Sequence, residues 1–366
     1  MSNKEFEVKL QRIEALLDKE GLEALLLRRN SSFAWLTGGV DAHINTADTQ
    51  GVASLLVGKE IKALITNNIE AFRLEREIGL REQGWEFWVT PRHSPDGHIP
   101  DGNSRGFKLG TDLAFPGGGD LSGNLAEMRA ELTPEEAERF RGLGSDCAEA
   151  MRVTISGIQP GMNEFEISAC LSEAVESRGI QAIVNLVATD ERIFQFRHPL
   201  PTSKKLDRYA MLMLCGRRSG LVCSLTRLVY FGRLPTELRR KIEAVAWVDA
   251  TMIAASRPGT TMGTVLRRAQ ESYNARGYPE EWRNHHQGGL AGYEPREITA
   301  LPDSPHPIRV GQAYAWNPSM AGVKSEDTIL IADHGNEILT AMENWPILDI
   351  ELDGATIRRP SILEVN

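Results

Sequence analysis

Two short stretches concentrate the side chains that could do chemistry. The first is Arg197-His198-Pro199, in an irregular segment after the apolar run 182–187. The second is the compact run His285-His286-Gln287-Gly288-Gly289-Leu290-Ala291-Gly292-Tyr293-Glu294-Pro295-Arg296-Glu297. A neutral imidazole near pH 7 can move a proton to or from a reacting group. The loop position of His198 favours such a role; the alternative is a histidine bonded only for structure. Arg296 could hold a carboxylate with two parallel hydrogen bonds, or pair at the surface with Glu294 or Glu297. Tyr293 is a further candidate substrate contact. The glycines would let a substrate approach the backbone closely.

These segments need a scaffold, and the periodicity supplies one. Phe6, Leu10, Ile13 and Leu17 recur at helical spacing, and Gly21 is placed to stop that helix. Residues 22–27 read as a buried strand. Residues 30–39 read as a loop carrying an exposed Trp35. Segments 51–58 and 61–65 read as paired strands, 70–78 as a helix and 106–112 as a strand. The Gly-rich stretch 115–123 lacks the G-K-[ST] ending of a phosphate-binding loop and reads as a turn. Thr133-Pro134-Glu135-Glu136 has the signature of a capped helix start, with Glu136 closing a capping box.

The second part of the chain contains an echo. Gln159-Pro160-Gly161 precedes a helix ending at Arg178-Gly179, and Arg257-Pro258-Gly259 precedes one ending at Arg276-Gly277. Pro, Gly and the closing Arg-Gly share one offset of 98 residues. Each unit follows a long helix and leads into a histidine-bearing segment. Two related α/β halves follow from this, with a site between them.

The 366 residues suit two domains. Lys and Arg total 41 against 50 Asp and Glu, a net charge of −9, which argues against a nucleic-acid binder. The acidity falls on helices such as 131–138, while the site-like segments are poor in carboxylates. Cys147, Cys170, Cys215 and Cys223 follow no metal-finger spacing, and a disulfide framework is not expected. Without a signal-like or membrane-spanning apolar stretch, a cytoplasmic location is expected.

Residues 133–345 resemble the catalytic domain of the creatinase / aminopeptidase P / prolidase family, the pita-bread fold. The motifs run in order. Pro160-Gly161-Met162-Asn163-Glu164 is similar to P-G-x-[ST]-E, and His198 with Pro201-Thr202 to a histidine followed by a P-T pair. Ser224-Leu225-Thr226-Arg227 is similar to D-[IL]-T-R, and His286-x-x-Gly289-Leu290 with Glu294-Pro295 to H-x-x-G-[IL]-x-x-H-E-P. Asn317-Pro318 stands for E-P, and Gly322-Val323-Lys324-Ser325-Glu326-Asp327-Thr328 for G-[VIM]-[RK]-x-E-[DN]-T. Arg12, Gly21-Leu22 and Leu36-Thr37-Gly38 resemble the family's small N-terminal domain. The resemblance implies an α/β (α+β) protein with a creatinase-like α/β domain over residues 1–130. A pita-bread domain of two pseudo-repeated halves would then span residues 131–366.

The family's peptidases hold two divalent metals with two Asp, one His and two Glu. Carried over, those slots are Met213, Ser224, His286, Asn317 and Glu326, and the histidine before Glu-Pro is Tyr293. Hard cations such as Mn²⁺ want anionic oxygen ligands, and of four carboxylates one is left. No metal or other cofactor is therefore expected, the alternative being a single zinc on His286, Glu326 and Cys215. With no metal between them, His286 and Glu326 would pair directly, raising the imidazole pKa.

Creatinase, which cleaves a C–N bond without metal, implies His198 as general base. The expected function is thus a metal-independent hydrolase of a small C–N bonded substrate. His198, His286 and Glu326 would be catalytic, and Ser224, Tyr293, Arg296 and Asn317 would bind substrate. Lys324, Asp327 and Arg227 are expected to brace the sheet. Arg29 or Trp35 could close a partner subunit's site, since a homodimer is the family's habit. Two alternatives stay open: a non-catalytic peptide- or ligand-binding module, and an Xaa-Pro metallopeptidase with an altered site.

Overall fold

The computed structural model describes residues 2–93 and 106–366. The chain divides into two compact units, Met1–Arg129 and Ala130–Asn366. Among the described residues no helix is long and apolar enough to cross a membrane.

The first unit carries α1 (Asn3–Glu20), β1 (Ala24–Arg29), α2 (Asn30–Thr37), β2 (Gln50–Gly58), β3 (Ile61–Asn67), α3 (Glu70–Arg76), β4 (Glu86–Thr90), β5 (Leu109–Thr111), β6 (Gly119–Asp120) and α4 (Ser122–Ala130). Its six strands form one sheet in the order β4-β3-β2-β1-β5-β6. Helix α1 ends as its sequence dictates, with Gly21 in the left-handed region at φ 61°. The expected loop at 30–39 is instead largely helix α2, and Trp35 is 0% exposed. The polar start Asn30-Ser31-Ser32 resembles a turn, yet all eight residues of α2 are buried. Asn30 accepts the Ala42 N–H at 2.9 Å, and Lys9 donates to the Trp35 carbonyl at 2.6 Å. Arg29 donates through Nε to the Asp112 carbonyl at 2.9 Å. Trp35 therefore has no face to offer a partner, and the Arg29 Nε is engaged within its own unit.

The second unit continues with α5 (Pro134–Gly157), α6 (Glu164–Glu176), β7 (Gln181–Thr189), α7 (Glu191–Gln195), β8 (Tyr209–Arg218), β9 (Leu221–Phe231), α8 (Thr236–Ala255) and α9 (Met262–Ala275). The short strands follow: β10 (Gly288–Ala291), β11 (Ile298–Thr299), β12 (Ala313–Trp316), β13 (Ser319–Met320), β14 (Val323–Lys324), β15 (Asp327–Leu330), β16 (Glu337–Ile338), β17 (Ile347–Leu352), β18 (Ala355–Pro360) and β19 (Leu363–Val365). One sheet runs β19-β9-β8-β7 and a second β11-β10-β12-β15-β16. They are stitched by the bridge between Thr226 and Glu326 and by Ser224 N–H donating to Thr328 Oγ1 at 2.8 Å.

The internal echo is real at atomic detail. Gly161 (φ 96°) and Gly259 (φ 88°) turn the chain into helices capped by Asn163 and Thr261. Gly161 N–H bonds the Leu206 carbonyl and Leu206 N–H the Met162 carbonyl. Gly259 N–H bonds the Ile308 carbonyl and Ile308 N–H the Thr260 carbonyl, the same pattern. The halves share one core, in which Leu186, Met213, Val245, Val265, Leu290 and Tyr314 pack together.

Candidate active site

The β8–β9 hairpin sets one wall. Cys215 and Ser224 are register partners, and their Sγ and Oγ lie 3.2 Å apart. Two residues along, Met213 opposes Thr226. Alternation along an extended strand puts these side chains on one face. The turn between β14 and β15 delivers Glu326 onto that face, 4% exposed.

Glu326 is clamped. Its carboxylate accepts from Thr226 Oγ1 at 2.6 Å, from Lys324 Nζ at 2.7 Å and from Arg296 at 3.1 Å. Burial works to raise its pKa, but the adjacent charges of Lys324 and Arg296 prevail and hold it at about 2. Arg296 also donates to Ser224 Oγ at 3.2 Å and to the Pro295 carbonyl at 2.6 Å. Lys324 Nζ lies 3.5 Å from Met213 Sδ. The expected direct pairing of His286 with Glu326 gives way to this arrangement, because two cations satisfy the carboxylate first.

The histidines come from two chain segments. His198 follows α7, and His285 and His286 lead into β10. His198 Nε2 and His285 Nε2 are 3.0 Å apart, and the His285 and His286 ring centroids 4.4 Å. His285 is 8% exposed, whereas His198 and His286 keep an exposed side. Burial, then Lys324 and the neighbouring histidines, push His285 down to about 2. Desolvation, Arg296 and Lys324 push His286 down to about 4, the opposite of the rise expected from a paired carboxylate. His198 is lowered by desolvation and by Lys324, against the pull of Glu326. His285 and His286 are therefore neutral at pH 7, and His198 is shifted toward its neutral form.

Two devices hold His198 in place. Fully buried Glu164, the first residue of α6, accepts from the backbone and hydroxyl of Thr189 at 2.8 and 3.0 Å. It also accepts from the backbone and hydroxyl of Thr202 at 2.9 and 2.7 Å, and pairs with Arg192. Glu164 thus pins the chain on both sides of His198. The Glu164 and Pro201-Thr202 motifs of the sequence are two ends of one hydrogen-bonded unit, a link that sequence spacing does not reveal. Arg197 then ties the loop to the turn before His285 through Glu281 at 2.5 Å.

The remaining predicted residues separate. Asn317 sits beyond β12 with Oδ1 buried and without a hydrogen-bond partner; His285 Nδ1 and Arg296 Nε share that condition. Tyr293, expected as a substrate contact, is 2% exposed and donates to Glu136 Oε1 at 2.6 Å. Its hydroxyl is spent on the capping box of α5. The glycines also serve differently from expectation. A Cβ on Gly288 would stand 2.1 Å from the Ala315 carbonyl, and one on Gly289 2.2 Å from the Ile298 carbonyl. They allow neighbouring strands to close on β10. Asp327 and Arg227 do brace the sheet, in a buried network with Arg359, Asp249 and Thr340. Lys324 does not; it belongs to the site.

Residues 138–333 match the model of metallopeptidase family M24. The chain belongs to metallopeptidase family M24. An uncharacterized peptidase of Staphylococcus saprophyticus is 23% identical over 239 residues, covering 62% of this chain and 67% of that protein. The chain spans about two thirds of the length of the curated relatives it matches. Among solved structures, the prolidase of Pyrococcus horikoshii OT3 superposes with a TM-score of 0.76 at 20% identity, over 92% of this chain and 98% of that one. An Xaa-Pro dipeptidase of Bacillus anthracis gives 0.77 at 19%, over 98% and 100%. The N-terminal domain of a FACT complex subunit from Cicer arietinum gives 0.70 at 11%, over 93% and 97%. The architecture is the pita-bread fold with an N-terminal domain, and the family is one of hydrolases.

The donor set of this M24 chain does not fit a dinuclear metal centre. The slots hold a thioether, a hydroxyl, an imidazole, an amide and one carboxylate, and that carboxylate is already bound by an ammonium and a guanidinium. A hard cation placed there would lack anionic ligands and face two fixed positive charges. The alternative zinc set fares differently from expectation too. The Cys215 thiol is raised by burial and bonded to Ser224, and the potential ligands that converge among the described residues are His198, His285 and His286.

Proposed function

We propose that this chain is a metal-independent hydrolase of a small C–N bonded substrate, with His198 as general base. The observation that carries the reading is the clamp on Glu326, where Lys324 and Arg296 provide positive charge in place of metal ions. His285 and His286, at about 2 and 4, are weak bases. His198 is the exposed ring on the loop, its pKa lowered by desolvation and Lys324, and it lies against His285. In this reading His198 takes a proton from water as the oxygen bonds to the substrate carbon. The C–N bond then breaks, and the same proton passes to the departing nitrogen. Arg296, with Nε unused, supplies donors for charge developing on the substrate, or for a substrate carboxylate. Asn317 Oδ1 is a ready acceptor for a substrate N–H. A small molecule or short peptide, a homodimer and a cytoplasmic setting complete the proposal.

The test is hydrolysis of a panel of small amides, amidines and dipeptides by chelator-treated protein. Activity retained in chelator and reduced at least about 100-fold in His198→Ala is expected. Equal rates in variant and parent would sink the assignment. The same unpaired polar atoms also suit a non-catalytic ligand-binding module. That second reading is favoured if a panel compound raises the melting temperature without being turned over.

A further inference from the structure

His198, His285 and His286 form a cluster that shares His198 with the proposed reaction and His286 with the family's metal slots, but as a trio belongs to neither. Their ligand nitrogens all lie within 4.8 Å of one another. The His198 Nε2 to His285 Nε2 distance is 3.0 Å. Two imidazole nitrogens on one tetrahedral zinc, each bonded at about 2.0–2.1 Å, stand about 3.3 Å apart. The pair therefore needs to open by only a few tenths of an ångström to admit an ion, while His286 swings in from an exposed position. The His285 Nδ1 is buried without a partner, so the bond that holds the ring is its Nε2 contact with His198, which the ion would replace.

We infer that His198, His285 and His286 form a binding site for a borderline divalent cation, Zn²⁺, Ni²⁺ or Cu²⁺, and that its occupancy switches the hydrolase off. Three neutral imidazoles suit these ions and not Mg²⁺ or Mn²⁺, which require oxygen anions. The site shares only His286 with the family's five slots. Lys324 and Arg296 pair with Glu326 but still act on these rings as positive charges, so only an ion bonded strongly by imidazole nitrogen can enter against that repulsion; Arg197 is paired with Glu281. A bound ion would take the lone pair of His198 that otherwise accepts the proton from water. The inhibitory half rests on His198 being the base; the binding half does not.

The experiment uses the full chain, stripped with chelator and titrated with Zn²⁺ against a chromophoric competitor, with Mn²⁺ in parallel. One Zn²⁺ per chain with Kd of about 10 µM or tighter is expected, and no Mn²⁺ at the same concentration. His198→Ala and His285→Gln should each weaken zinc at least about tenfold. His198 is an exposed loop residue, so its variant stays informative if the His285 variant misfolds. Absence of saturable one-to-one zinc binding, equal Mn²⁺ binding, or unchanged affinity in a folded His198→Ala would overturn the site. Zinc bound stoichiometrically with hydrolysis undiminished would leave the site standing and overturn the base assignment.

Discussion

A buried neutral histidine makes the fold acid-sensitive in a calculable way. His285 is 8% exposed, and its pKa falls from 6.5 to about 2 on folding. A base with a depressed folded pKa binds fewer protons when folded, so acid favours the unfolded chain. Its stabilising contribution is complete above pH 6.5 and is lost progressively as the pH falls below it, at about 1.4 kcal/mol per pH unit. Between pH 7.5 and pH 5.0 His285 alone should therefore remove about 2 kcal/mol. Glu326, also lowered to about 2, contributes stability above its unfolded pKa near 4.5 and loses it only below that value, outside this window. The perturbation is His285→Gln, which keeps a polar side chain but does not titrate. Urea denaturation at pH 7.5 and 5.0, followed through the second unit's tryptophans, measures each stability. The variant should lose about 2 kcal/mol less than the parent across the interval. Losses equal within about 0.5 kcal/mol would refute the claim that His285 is held neutral by burial.

Two further substitutions test the scaffold. Glu164→Gln removes the charge that pins Thr189, Thr202 and Arg192; urea denaturation should show a loss of about 3 kcal/mol, with His198-dependent activity falling alongside. Gly288→Ala, with φ 104° and a Cβ 2.1 Å from the Ala315 carbonyl, should cost at least about 2 kcal/mol by denaturation. Gly277→Ala, equally left-handed but with nothing within 4 Å, should cost only about 1 kcal/mol.

Local chemistry made much of the scaffold legible. Thr133 and Glu136 announce the start of α5, and both capping-box bonds form. The Pro-Gly punctuation announces two halves, and the paired bonds of Gly161 and Gly259 realise them. What failed to show were directions and partners. A strand pattern says which residues alternate, not what arrives from elsewhere on the chain. Arg296 reaches Glu326 across thirty positions, and Tyr293 reaches Glu136 across more than a hundred and fifty. Lys324 sits among residues that do brace the sheet, and only the place of its ammonium separates it from Asp327. The polar Asn30-Ser31-Ser32 hid a buried helix, because the side chains of Asn30 and Ser32 bond within the fold instead of to water. The candidates His198, His286, Glu326, Ser224 and Arg296 were readable as residue types; the Lys324–Glu326–Arg296 clamp was not.

The central claim is that an ammonium and a guanidinium stand in place of the family's metal ions. Crystals grown in excess Mn²⁺, measured at the manganese edge, test it directly. No anomalous peak is expected at the Glu326 carboxylate, with Lys324 and Arg296 still paired to it. One or two manganese peaks within about 2.3 Å of that carboxylate, with the two cations displaced, would contradict it.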